Sequence, residues 1–103
     1  MDPKSKRILG KSGVTVTVLG CGGEPHGDMC TLLDNEEAIA TVETAYELGI
    51  TLFDTSPFYG HGLSEQRFGA VLRDKPRDSF VLSTKVGRYL APPSAEQPLD
   101  RTQ

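Results

Sequence analysis

The sequence predicts a parallel α/β fold. Short apolar runs rich in β-branched residues alternate with stretches of helical periodicity, in the order hairpin, strand, helix, strand, helix, strand. Two of those strands end in a charged residue, Asp54 on one and Lys85 on the next. Strands separated by helices imply βαβ crossovers and hence a parallel sheet. A doubly wound open sheet and a barrel both satisfy this order, and no repeat at a solenoid period points elsewhere.

Each element has a local reason. Residues 7–9 and 14–18 flank Gly10-Lys11-Ser12-Gly13, a glycine-containing four-residue loop, and read as a β-hairpin. Val14, Val16 and Val18 alternate with Thr15 and Thr17, one set to each side. The apolar character continues through Leu19 to Cys21, which predicts a separate buried strand. Gly20, Gly22, Gly23, Pro25 and Gly27 then break the pattern, and a loop runs to Leu33. Asp34 is placed to cap a helix over residues 35–48, with Glu37 three residues on. Ala38, Ile39, Val42, Ala45 and Tyr46 give this helix one apolar face, and Gly49 suits its left-handed terminus.

Residues 50–55 form the next buried strand, ending at Asp54, and residues 56–62 a loop. A second helix over residues 64–73 is expected to bury Leu63, Phe68, Val71 and Leu72 and to stop before Pro76. Arg73 and Lys75 sit at its carboxyl end, where positive charge is favoured. Residues 79–86 are the last strand. Residues 89–103, with Pro92, Pro93 and Pro98, read as an irregular loop.

Composition excludes several classes. With 37% hydrophobic and 24% charged residues the chain is that of a soluble globular protein. The net charge of −3 and the absence of a basic block exclude nucleic acid as an expected partner. The basic start, residues 1–7, is followed by no apolar signal core, and no run is long enough to span a membrane, so a cytoplasmic location is expected. Cys21, His26 and Cys30 lie close together, but structural zinc takes four ligands at paired spacing and no fourth is evident. Two reduced thiols and no metal are therefore expected. The oligomeric state has no signature in the sequence.

In parallel α/β folds the active site lies at the carboxyl ends of the strands. Residues 20–27, 54–62 and 84–88 fall there. Asp54 and Lys85 are 31 residues apart, one βα repeat, so they occupy equivalent places on consecutive strands. Strands about 4.8 Å apart let such side chains meet. A structural ion pair closing the top of the sheet and a functional pair account for this spacing equally well. Tyr59 favours function. A free phenol has a pKa of about 10, and a neighbouring ammonium moves it toward neutrality. A Tyr–Lys–Asp cluster can therefore donate a proton to a carbonyl or accept one from an alcohol. The bland alternative for Tyr59 is an amphipathic loop aromatic, and Tyr46 is read as helix packing.

Three stretches resemble the aldo-keto reductases. GITLFDTSPFYGHGLSE at residues 49–65 resembles the first signature of that family, and STKVG at residues 83–87 its lysine-bearing strand. LGKSG at residues 9–13, followed by VLGCG at residues 18–22, resembles its amino-terminal hairpin and first barrel strand. The resemblance covers residues 7–88. It implies a (β/α)₈ barrel, here as the hairpin and first three strands of an incomplete barrel. It also implies hydride transfer between NADP or NAD and a small-molecule carbonyl or alcohol. By resemblance Tyr59 is the general acid/base, Lys85 depresses its pKa, and Asp54 pairs with Lys85. Gly22 and Gly23, with Asp54, lie where the family's first loop approaches the cofactor, and His61 is placed at the substrate mouth. The detail of residues 58–65 and 83–88 is most similar to the aldose (fucose- and galactose-type) and pyridoxal dehydrogenases.

The family's fourth catalytic residue, a His ending the fourth strand, is matched by neither His26 nor His61. Its main dinucleotide contacts come from later strands. The expectation is therefore an amino-terminal portion, residues 1–103, of an enzyme, inactive and poorly stable alone. A non-catalytic binding or regulatory relative, or a truncated inactive product, is the alternative. Retention of Asp54, Tyr59 and Lys85 favours the enzyme.

Overall fold

The computed structural model describes residues 1–28, 31–92 and 94–96. Strands β1 (Lys6–Ile8) and β2 (Thr15–Thr17) form the antiparallel hairpin, with Arg7 opposite Val16. Strands β3 (Gly20–Gly22), β4 (Leu52–Asp54) and β5 (Val81–Ser83) form one parallel sheet in that order. Helix α1 (Asn35–Glu47) joins β3 to β4, and α2 (Leu63–Leu72) joins β4 to β5. The described residues thus form part of a (β/α)₈ barrel, with an open edge at β3 and another at β5.

The core lies between one sheet face and the two helices. Phe53 is fully buried at its centre, with its ring edge-on to Phe68 at 6.1 Å. Val42 from α1, Val71 and Leu72 from α2, and Phe80 before β5 close around it. Strand alternation sends Leu52, Asp54, Val81 and Ser83 to the other face. Asp54 and Ser83 face each other there at the carboxyl ends of their strands.

Several expectations are corrected. The second hairpin strand is shorter than residues 14–18, covering Thr15–Thr17, and the parallel sheet starts at Gly20. Val14 and Val18 are exposed, whereas Val16 and Thr17 are both buried. Thr17 is buried because its hydroxyl accepts from the Thr51 N–H at 3.0 Å and donates to the Leu19 carbonyl at 2.7 Å. These bonds dock the hairpin at the amino end of β4. Asp34 holds the N-cap position of α1, but its side chain makes no capping hydrogen bond; its carbonyl takes the Ala38 N–H.

On α2, Leu63 is only half-buried, while Ser64 and Arg67 are buried. The last strand is shorter than residues 79–86, because a 3₁₀ turn takes up Arg77–Ser79 and the strand ends at Ser83. Gly49 adopts φ +95°, as the helix terminus requires. Residues 89–92 and 94–96 contain no helix or strand.

Candidate active site

Gly22, Asp54 and Ser83 are aligned in register at the carboxyl ends of the three parallel strands. Two residues past Ser83, on the same side of the chain, Lys85 turns back over β4. Its ammonium donates to Asp54 Oδ2 at 2.7 Å and to the Thr55 carbonyl at 3.0 Å. The Ser83 hydroxyl donates to Asp54 Oδ1 at 2.7 Å, so both carboxylate oxygens are engaged. Partial burial pushes the Asp54 carboxyl up, but hydrogen bonds from Lys85 and Ser83 outweigh it and hold the group below its ordinary range. The hydrogen bond to Asp54, with a further contribution from Tyr59, raises Lys85 against the opposing effect of desolvation. Both groups are therefore charged at neutral pH.

Tyr59 lies in the turn that leads into α2. Its N–H bonds to the Ser56 carbonyl at 3.1 Å, and its carbonyl accepts from the Ser64 N–H at 3.2 Å. The Lys85 ammonium sits 5.0 Å from the Tyr59 ring centroid. Asp54, Tyr59 and Lys85 are thus brought together by three separate segments. Tyr59 and Lys85, but not Asp54, border a cleft of about 290 Å³ lined also by Ser56, Pro57, Phe58, Val86 and Arg88. Arg88 stacks over the Phe58 ring at 4.5 Å and forms one wall.

The two glycines differ. A Cβ on Gly22 would meet nothing within 4 Å, so this residue borders open space beside Asp54. A Cβ on Gly23 would stand 2.6 Å from Ser64 Oγ and 2.7 Å from the Asp54 carbonyl. The lack of a side chain at Gly23 lets the end of β3 approach α2 closely. His61 lies outside the cleft; it is exposed, at φ 55°, with Nε2 3.0 Å from the Ala91 carbonyl.

Some residues carry a weaker signal in the sequence. Ser83 is legible in principle, since residues 83 and 85 share a strand face. Arg88 and Phe58 have no periodic signal. His26 is buried, edge-on to Phe68 at 5.3 Å, with no hydrogen-bond partner for either ring nitrogen among the described residues. Cys21 is a free, half-buried thiol whose pKa is raised by burial. Cys30 lies outside the described residues. Among those described, no three His, Cys, Asp or Glu side chains are placed to hold a metal. No described helix is long and apolar enough to cross a membrane.

At its carboxyl edge the parallel βα sheet of this partial barrel carries a charged Lys–Asp pair and a tyrosine. The chain belongs to the aldo/keto reductase family, whose model matches residues 18–101. It is 46% identical over 87 residues to a D-threo-aldose 1-dehydrogenase from a Pseudomonas species, covering 84% of this chain and 26% of that protein. It is 41% identical over 90 residues to pyridoxal 4-dehydrogenase from Microbacterium luteolum, covering 87% of this chain and 26% of that protein. Among solved structures it matches a glycerol dehydrogenase from Gluconobacter oxydans with a TM-score of 0.68 and 27% identity, over 93% of this chain and 29% of that one. The chain spans about a quarter of the length of these curated relatives.

Proposed function

We propose that these residues are the amino-terminal part of an NAD(P)-dependent oxidoreductase, and that they contribute its proton-transfer apparatus. The substrate is a small polar carbonyl or alcohol of aldose or pyridoxal type. The observation that carries this reading is the Lys85 ammonium, bonded to Asp54 at 2.7 Å and 5.0 Å from the Tyr59 ring, on the wall of an open cleft.

The geometry supports a division of labour. Tyr59 gives its hydroxyl proton to the carbonyl oxygen during reduction and takes it back from the alcohol during oxidation. Lys85, held cationic by Asp54, places positive charge beside the phenolate that donation leaves. Asp54, itself fixed by Ser83, sets the position of Lys85. Gly22 and Asp54, which border open space, would hold the nicotinamide end of a bound NADP or NAD, and that cofactor would supply or accept the hydride. Gly23 serves that space indirectly, through the close packing of β3 on α2. The remaining strands of the longer protein provide a further histidine and most of the dinucleotide contacts.

The test is made on the complete barrel, with NADPH and NADH and with pyridoxal and 4-nitrobenzaldehyde as probe carbonyls. Tyr59→Phe is expected to lower kcat by about 100-fold or more, as loss of a general acid does. Cofactor affinity, read by fluorescence titration, is expected to stay within about threefold, because the phenol contributes little to holding the dinucleotide. Near-normal kcat in Tyr59→Phe would assign proton transfer to another group.

A further inference from the structure

Arg67 is the one buried cationic side chain among the described residues. It projects from α2 into the segment between β3 and α1 and donates to four acceptors there. Nη1 bonds to the His26 carbonyl at 3.0 Å and to Asp28 Oδ1 at 3.1 Å. Nη2 bonds to the Leu33 carbonyl at 2.8 Å, and Nε to Asn35 Oδ1 at 3.1 Å. Burying a guanidinium is costly unless its donors are satisfied, and the planar fork here is nearly saturated. Asp28, also buried, supplies the countercharge and uses the same oxygen to take the Leu33 N–H at 2.9 Å.

The two residues held by Nη1 flank Gly27. A Cβ built on Gly27 would lie 2.3 Å from the Tyr59 carbonyl carbon and 2.8 Å from the Gly60 nitrogen. In the opposite direction, a Cβ on Gly60 would lie 2.3 Å from the Gly27 carbonyl oxygen. The backbones at Gly27 and at Tyr59–Gly60 therefore touch directly, with no side chain between them. Arg67 holds the residues on either side of Gly27 at this contact. A shift of the loop at residues 26–28 is passed to the peptide that carries Tyr59.

We propose that Arg67 is a positioning residue for Tyr59: by gripping His26 and Asp28 it seats Gly27 against the Tyr59–Gly60 peptide and fixes where the phenol stands relative to Lys85. The inference rests on the role proposed above for Tyr59. Arg67 itself touches neither the cleft nor Lys85.

The experiment uses the complete barrel and the probe carbonyls named above. Arg67→Met is expected to lower kcat by about 100-fold, the scale on which an ångström of misplacement acts. The NADPH dissociation constant should stay within about threefold, and the pH dependence of kcat should move, because the Tyr59–Lys85 separation changes. Asp28→Ala, which leaves Arg67 three acceptors, carries the test if Arg67→Met does not fold. It should lower kcat by about tenfold and move the pH profile in the same direction.

In a Tyr59→Phe background the same substitutions should cost less than about threefold, since groups acting through one residue are not additive. Loss of melting temperature with unchanged kcat and pH profile would overturn the inference and leave Arg67 as a scaffold residue. Equal losses with and without the Tyr59→Phe substitution would overturn it as well. If Tyr59→Phe is itself near-normal, or the unmodified barrel turns over neither probe, the functional reading fails first and the inference with it.

Discussion

Replacing His26 by leucine should stabilise the folded protein, and by more in mild acid than at pH 8. His26 is 4% exposed, and neither ring nitrogen has a partner among the described residues. A neutral imidazole left in this way forgoes a donor and an acceptor, which together cost about 2 kcal/mol. Leucine removes that cost and gives up the edge-on contact with Phe68, worth about 1 kcal/mol. A net gain of about 1 kcal/mol follows at pH 8, where the imidazole is neutral in both states.

Acid adds a second effect. Burial is the main cause that lowers the pKa of His26 from 6.5; it outweighs the opposing pull of the backbone at Gly22 and Ala38, and the nearby Arg67 charge acts in the same direction as burial. Below the ordinary value the unfolded chain takes up a proton that the folded chain resists. Stability is therefore complete above that value and is lost as pH falls toward the folded pKa. The slope approaches about 1.4 kcal/mol per pH unit. His26→Leu has no such loss, so its advantage should grow by up to about 1.4 kcal/mol at pH 5.5. Urea unfolding of the complete barrel at both pH values, followed by circular dichroism, measures the difference. An advantage that does not change with pH, or a leucine variant less stable at both, would show that the imidazole is solvated or paired.

Three further outcomes are expected. Gly23→Ala should cost about 2 kcal/mol in the same unfolding assay, because the new methyl overlaps the Asp54 carbonyl; Gly22→Ala, which meets nothing, should be near neutral in stability and weaken cofactor binding instead. Lys85→Met should lower kcat by about 100-fold or more while changing stability by less than about 1 kcal/mol, since the side chains of the Lys85–Asp54 pair are 45% and 40% exposed and screened by water. What little the pair contributes should vanish as pH falls below 3.8 through the lowered Asp54 value, or rises above 10.5 through the raised Lys85 value. Expressed alone, residues 1–103 should bind a hydrophobic dye and show no saturable NADPH binding. The reason is that apolar grooves beside both open strands, along Leu19, Ala45 and Ile50 and along Phe68, Phe80 and Leu82, have no covering wall.

Residue order alone specifies local properties. Apolar periodicity marks Val42, Phe53, Phe68 and Val71 as core, and Gly49 as the end of α1, because these properties depend on near neighbours along the chain. The meeting of Asp54 with Lys85 is also legible, since one βα repeat returns the chain to the same height on the next strand. The remainder depends on how distant segments pack. Thr17, Ser64, Arg67 and His26 read as surface or loop residues, yet all four are buried. Thr51, which bonds to Thr17, and the acceptors of Arg67 lie at distances in sequence that no local pattern reports. Gly22 and Gly23 are equivalent as letters. Only the packing of α2 on β3 separates the one that borders open space from the one that Ser64 and the Asp54 carbonyl enclose.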